Sequence, residues 1–482
     1  MMKNALNPQE VFHWFARINQ IPRPSKREEK MIAFLEAFGK ERGLATKVDE
    51  AGNVCITKDA TPGMENRKKV ILQSHFDMVC EKRSDVDFDF DTDAIKTYVE
   101  GEWMKAEGTT LGADDGIGVA MQLAVLDAKD LVHGPIDCVF TRDEETGLTG
   151  AMGMKEGFMS GDYLINLDSE DEGILFVSCA GGARSCAEFP WHDTAVPENS
   201  FAFRIGVKGL TGGHSGDDIE KGRGNANKIL VQFLLQQAVE NDLRLADIQS
   251  GGLVNAIPRE GWALCTVPWE KKEAVRISLN VFIHQVEEEL SATEPNLELT
   301  MESADVPATV MEREEMMRML KSLHAVANGV MAMSHEMEGL VETSSNLASI
   351  KKEGEKVTVR SSQRSSKTAA RDRMISVWRV AMELGGATVS TGSAYPGWAF
   401  KSDNAIVRQV RESYVRLFQT EPLVKGIHAG LECGLFSEKY PQLQMVSMGP
   451  TMRGVHSPDE RLHIPSVQKV WDLLLDVLEK VD

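Results

Sequence analysis

Five residues that can bind a cation, His75, Asp114, Glu145, Asp168 and His456, stand where short apolar runs give way to loops. Val70-Ile71-Leu72-Gln73-Ser74 leads into His75-Phe76-Asp77, and Ile136-Asp137-Cys138-Val139-Phe140 leads towards Asp143-Glu144-Glu145. Tyr163-Leu164-Ile165-Asn166-Leu167 leads into Asp168, and residues 443–448 lead into a Gly/Pro loop carrying His456. Between the first two runs lies Gly112-Ala113-Asp114-Asp115-Gly116. Imidazole nitrogen and carboxylate oxygen suit divalent metals. Together the five match what two zinc ions take: one His and one terminal carboxylate each, plus a shared carboxylate. The chemistry that such a pair supports is hydrolysis by activated water.

Each motif alone has an ordinary reading. His75-x-Asp77 puts both side chains on one strand face, because side chains alternate with period two; that also describes a surface polar pair. Of the adjacent Asp114 and Asp115, only one can readily bridge two metals, and Asp115 is placed to cap the helix that follows. In Asp143-Glu144-Glu145, three carboxylates in a row repel one another away from water unless a cation or proton is present. One can ligate while its neighbour takes a proton, yet a solvated acidic loop has the same sequence. His456 alone would be a surface histidine. Four strand-end loops carrying such groups together are hard to attribute to solvation.

The elements that must position these loops follow from periodicity. Residues 7–19 and 27–43 are expected as helices and 45–57 and 69–74 as strands; 116–128 should form a buried helix starting directly after Asp114-Asp115. The positive end of that helix would then favour ionised carboxylates. Strands alternating with helices over 69–180 indicate βαβ units and a mainly parallel sheet, whose ligands gather at the carboxyl ends of its strands. Beyond Gly181-Gly182 the pattern changes. Strand-like runs at 201–208, 250–268, 296–303 and 356–363, with helices at 225–240 and 311–328, suggest a separate α+β domain. A helix at 403–418, a strand at 443–448 and a helix at 466–480 return the chain to the first domain, because His456 belongs there. The expected organisation is an α/β catalytic domain (1–182 and 396–482) with an inserted α+β lid domain (183–395).

The chain has 482 residues, 42% hydrophobic and 26% charged, which suits a globular protein of two or three domains. A net charge of −20 argues against nucleic acid or an anionic membrane as partner. Seven scattered cysteines without a CxxC pair are expected to be buried, reduced thiols, as in a cytoplasmic protein. Asn7-Pro8-Gln9-Glu10 has the character of a helix start rather than a signal peptide.

The ordered motifs Ser74-His75-Phe76-Asp77-Met78-Val79, Gly112-Ala113-Asp114-Asp115-Gly116, Asp143-Glu144-Glu145-Thr146-Gly147 and Leu167-Asp168-Ser169-Glu170 resemble those of the aminoacyl-histidine (Xaa-His) dipeptidases, within the co-catalytic zinc peptidases. The resemblance extends to Gly213-His214-Ser215-Gly216, Gly426-Ile427-His428-Ala429-Gly430-Leu431-Glu432 and Gly454-Val455-His456-Ser457-Pro458, and so spans almost the whole chain. It implies two Zn2+ per subunit, with Co2+ or Mn2+ as possible substitutes. His75 and Asp168 would hold one, Glu145 and His456 the other, and Asp114 would bridge. In the family the bridging Asp is often followed by Asn, whereas here Asp115 follows. The resemblance also implies that Asp77 orients the His75 side and that Glu144 is the general base and later the proton donor. His214 would reach the scissile carbonyl, from its own subunit or a partner's. Asn255 and Arg364 would bind the substrate carboxylate, and the loop of His428 and Gly430 would line the same pocket. The implied activity is hydrolysis of unblocked dipeptides, Xaa-His included, by a cytoplasmic homodimer. A tripeptidase or N-acyl amino acid hydrolase on the same metal core is an open alternative. A metal-binding protein without turnover is another, against which Glu144, not needed as a ligand, argues.

Overall fold

The apolar run Val70–His75 is buried along its whole length, as are Ile136–Thr141 and Tyr163–Asn166. Strands covered on both faces read as continuous hydrophobic stretches, which is the signature of a parallel sheet. In the computed structural model, which describes residues 6–482, these strands form the centre of an eight-stranded sheet. Its order is Ala45–Val48, Val54–Lys58, Ile136–Thr141, Val70–His75, Tyr163–Asn166, Gln444–Ser447, Ile174–Cys179, Leu423–Ile427. Val70 pairs in parallel with both Ile136 and Tyr163, and Gln444 pairs in parallel with Tyr163. These four central strands pair in parallel with one another. Towards one edge Val54–Lys58 pairs antiparallel with its neighbours on both sides, and on the other side Ile174–Cys179 meets Gln444–Ser447 antiparallel.

The helix Ala113–Asp127 is buried nearly all round and belongs to the core of this unit. Its first residues are not helical: Asp114 is extended, and regular geometry begins after Asp115. The stretch 45–57 is two strands rather than one. Asp49 breaks it by accepting hydrogen bonds from the backbone of Ala51 and Asn53, both at 2.9 Å. A small antiparallel sheet joins Met452–Arg453 to Arg461–His463, Trp103–Ala106 and Thr97–Glu100, which anchors both ends of the loop that carries His456. This unit comprises the chain up to Ser178, Phe400–Gly426 and Leu431–Asp482.

The second unit is Cys179–Ala399 with Ile427–Gly430. The reading of 396–482 as one continuous return segment thus differs at 427–430. Those residues join the second unit because Ala180 N donates to the carbonyls of Ile427 (3.2 Å) and Ala429 (2.9 Å). Its sheet is antiparallel, in the order Glu298–Ser303, Ser200–Lys208, Gly261–Pro268, Arg244–Gly251, Val341–Glu353, Lys356–Ser365, Gly181–Pro190, Thr388–Thr391. The helices Ala226–Glu240, Lys272–Leu290, Arg313–Ala325 and Thr368–Leu384 share one core with it. The expected strand at 250–268 is three: the end of Arg244–Gly251, the short Ala256–Ile257 and Gly261–Pro268, with a turn at Val254–Asn255 after the first. The helices at 272–290 and 368–384 and the strands Gly181–Pro190 and Val341–Glu353 were not assigned from sequence.

Five of the seven cysteines, Cys55, Cys138, Cys179, Cys265 and Cys433, are buried. Among the described residues no helix is long and apolar enough to cross a membrane.

Candidate metal centre

The four parallel strands end on one side of the sheet, and each delivers one group. His75 is the last residue of its strand, and Asp168 follows Tyr163–Asn166 by two residues. Glu144 and Glu145 lie in the loop after Ile136–Thr141, and His456 lies in the loop after Gln444–Ser447. Asp114 arrives at the start of the central helix.

The two oxygens of Asp114 face different partners. Oδ1 lies 3.1 Å from His75 Nε2, which is itself 3.4 Å from Asp168 Oδ1. Oδ2 lies 3.0 Å from His456 Nε2, which is 3.1 Å from Glu145 Oε1. A tetrahedral zinc site with bonds of about 2.0 Å separates neighbouring ligand atoms by about 3.3 Å. Each histidine stands at about that spacing from two carboxylates, one of them shared, which fits a pair of cations.

The electrostatics have the same sense. Burial alone would depress the His75 imidazole, but the carboxylates of Asp168, Asp114 and Asp77 outweigh it and hold it well above its usual value. Hydrogen bonds to Asp114 and Glu145 push His456 up to about 11. Burial, with Asp114 alongside, raises Glu145, and it raises Asp168 to about 6. Asp114 is held low, its two imidazole contacts overcoming its burial. Glu144 is raised well above the carboxylate range by burial and by Asp168, Glu145 and Glu432. Raised imidazoles beside raised carboxylates mark surplus negative charge that a cation would relieve.

Asp77 is fully buried and touches more than His75. Its Oδ1 is 3.3 Å from His75 Nδ1 and accepts from Glu144 N at 3.0 Å; its Oδ2 accepts from Ser25 Oγ at 2.8 Å and Glu145 N at 3.3 Å. One carboxylate therefore orients the imidazole and ties down the loop of Glu144 and Glu145. Asp115 is turned away from the ligand set, its Oδ1 accepting from Gly118 N at 3.2 Å as a helix cap does.

The expected lid residues lie in the second unit. His214 pairs with Ala256 in a two-stranded ribbon, which sets it beside Asn255, whose carbonyl accepts from Ser215 N (2.8 Å). Arg364 is 8% exposed, 3.4 Å from His214 Nε2 and 3.4 Å from the Tyr395 hydroxyl. Its Nε has no partner, and no carboxylate among the described residues pairs with it. His428 is buried, with Nε2 2.7 Å from Ser344 Oγ. Gly430 lies against the Tyr395 ring, where a Cβ would sit 3.0 Å from Cε2. Arg364 and Gly430 thus meet at Tyr395, and His214 meets Arg364; Asn255 joins them through its backbone.

A family model described as peptidase family M20/M25/M40 matches residues 71–480. The chain belongs to this family. It is 42% identical over 476 residues to the cytosol non-specific dipeptidase of Escherichia coli (strain K12), covering 99% of this chain and 98% of that protein. The crystal structure of aminoacylhistidine dipeptidase from Vibrio alginolyticus superposes with a TM-score of 0.92 at 43% identity, covering 99% of this chain and 97% of that one. A tripeptidase from Staphylococcus aureus, 17% identical with a TM-score of 0.57 over 99% of both chains, shares the fold.

Residues of the metal centre and, separately, of the second unit escaped the sequence reading. Glu432, fully buried, accepts from Gln73 Nε2 and Thr141 Oγ1, both at 2.6 Å, behind the His75 strand; burial raises it to about 7. Glu170 is raised to about 8 by burial and by Asp114 and Asp168. Tyr395 lay outside every motif. Glu432 and Glu170 stood inside quoted motifs, but an acid's burial is visible only once its distant neighbours are known.

Proposed function

We propose that the chain is a zinc-dependent dipeptidase acting on unblocked dipeptides, Xaa-His dipeptides included. The observation that carries the reading is Asp114, whose two oxygens each face one histidine and lead to one further carboxylate. His75 and Asp168 would hold one zinc, Glu145 and His456 the other, and Asp114 both. When bound, the cations supply Lewis acidity towards the peptide carbonyl and lower the pKa of water. Glu144 is the base: its carboxylate takes a proton from the attacking water and passes it to the leaving amine nitrogen. Asp77 holds His75 and the Glu144 loop in register.

Arg364 binds the substrate's C-terminal carboxylate. A buried guanidinium without an anion is costly, and a carboxylate is its natural complement. His214, Asn255, His428 and Gly430 complete this pocket, and His214 would reach the scissile carbonyl from its own subunit or a partner's. The names of the two close relatives support the dipeptide substrate and a cytoplasmic location; Co2+ or Mn2+ would substitute for zinc. The homodimer rests on the family resemblance alone, and sedimentation of the full chain decides it.

The test is hydrolysis of Ala-His, β-Ala-His, Gly-Leu, a tripeptide and an N-acetyl amino acid, by zinc-loaded and by chelated protein. Metal-dependent cleavage of the dipeptides alone is expected. Preference for the tripeptide or acyl substrate would discard the carboxylate pocket, and no cleavage at two bound metals would discard the enzyme.

A further inference from the structure

Four residues beyond His456, in the same loop, stands an acid that the mechanism does not use. Glu460 is 2% exposed. Its Oε2 accepts from the backbone N–H of Leu111 (2.7 Å) and Gly112 (3.0 Å). Its Oε1 accepts from Ala113 (2.7 Å) and Asp114 (3.4 Å). Four consecutive amides thus converge on one carboxylate, the concave arrangement of backbone donors that binds anions. They can converge because Gly112 is left-handed, at φ +67°.

The opposite side of that turn is held by Arg23, which is 1% exposed. Its Nη2 donates to the Gly112 carbonyl at 2.6 Å, and its Nη1 to the carbonyls of Asp77 (3.1 Å) and Phe76 (3.3 Å). A Cβ on Gly112 would run into this guanidinium. Asp114 itself lies outside regular helix, at φ −80°, ψ 113°, so its own helix does not fix it. The turn before it is set by Glu460 from one side and by Arg23 from the other.

We propose that Glu460 is a positioning residue whose carboxylate sets the shared ligand Asp114 and the terminal ligand His456 in mutual register through one clasp. The inference rests on the ligand roles proposed above. Its consequence is particular: a defect at Glu460 reaches the one ligand common to both metals.

Glu460→Gln tests it in the full-length protein. The amide keeps one acceptor oxygen and turns an NH2 towards two backbone donors. Residues that orient metal ligands from behind change metal affinity by roughly 10–100-fold, and that weakening is expected for both zincs, measured by chelator competition. The visible spectrum of the cobalt-loaded protein should change as well. Glu294→Gln is the control: Glu294 is also buried and clasps the backbone of Thr211 (2.6 Å) and Gly224 (2.8 Å), but in the second unit. It should leave zinc affinity and the cobalt spectrum unchanged. If Glu460→Gln does not fold, Glu460→Asp keeps the charge on a shorter arm and should still weaken zinc. Wild-type affinity and spectrum in the folded Glu460 variant, or equal weakening in the Glu294 control, overturns the proposal. Fewer than two zincs in the wild-type protein would instead refute the ligand roles.

Discussion

Arg364→Met separates the substrate pocket from the fold more sharply than any other single change. Most buried arginines cannot be removed without leaving a carboxylate unpaired, which costs several kcal/mol. Arg364 is 8% exposed, but among the described residues its only polar side-chain contacts are the long ones to Tyr395 and His214, and its Nε is unpartnered. Methionine, unbranched and apolar, fills much of the same channel without a charge. Thermal stability of the variant should therefore be unchanged or raised. Catalysis should not be spared. Two charge-assisted hydrogen bonds to a carboxylate, at about 1.5–3 kcal/mol each, amount to about 3–6 kcal/mol, or roughly 10²–10⁴-fold in kcat/KM. The assay is kcat/KM on Ala-His and on its C-terminal amide, together with Tm. Wild-type protein should favour the free acid strongly, and Arg364→Met should abolish most of that preference while changing the amide little. Equal losses on both substrates would refute the carboxylate role. A fall in Tm of several degrees would refute the claim that the guanidinium has no anionic partner in the folded chain.

Glu144→Gln should retain two metals and an almost unchanged KM while kcat falls by about 10²–10⁴-fold; a near-wild-type kcat with metals in place would remove Glu144 as the base. His428 carries a pH dependence of stability. Burial, and then the Arg364 guanidinium, hold it down to about 3, against about 6.5 when unfolded. The unfolded chain therefore binds the extra proton between these values, and stability falls as the pH drops below about 6.5, by about 1.4 kcal/mol per pH unit from this group. His428→Asn should give a shallower acid limb in urea midpoints; parallel limbs for the two proteins would contradict the assignment.

The catalytic fold was legible because parallel strands buried on both faces are written as unbroken apolar runs, and the groups at their ends stand out against them. His75, Glu145 and Asp168 could be picked out this way, since a strand's end is a local property. Resemblance then distributed roles among neighbours that local pattern leaves equivalent. Asp114 and Asp115 are one such pair, which the structure separates by turning one carboxylate to the histidines and the other to the helix amides. The second unit was less legible. Val341–Glu353 has ten buried residues but reads Thr-Ser-Ser-Asn through its middle. Several of its polar side chains find partners across the sheet or far away in sequence, as in Thr343 with Ser365 (3.0 Å), Ser344 with His428 (2.7 Å) and Asn346 with the Ala256 carbonyl (2.8 Å). A test based on apolar periodicity does not see such a strand. The helix at Lys272–Leu290, by contrast, buries Val275, Leu279, Phe282 and Val286 at helical spacing, so its signal was present in the sequence.

By itself, then, the sequence determined the strand-end loops, the donor types they carry and the family to which the chain belongs, since each depends on residues close together or on ordered motifs. Tertiary structure alone decided which acids are buried, which cation lacks an anion and which backbone amides converge on Glu460. Those properties belong to pairs brought together across as many as 359 positions, as Gln73 and Glu432 are, and desolvation acts on a charge only through the neighbours that the fold puts around it.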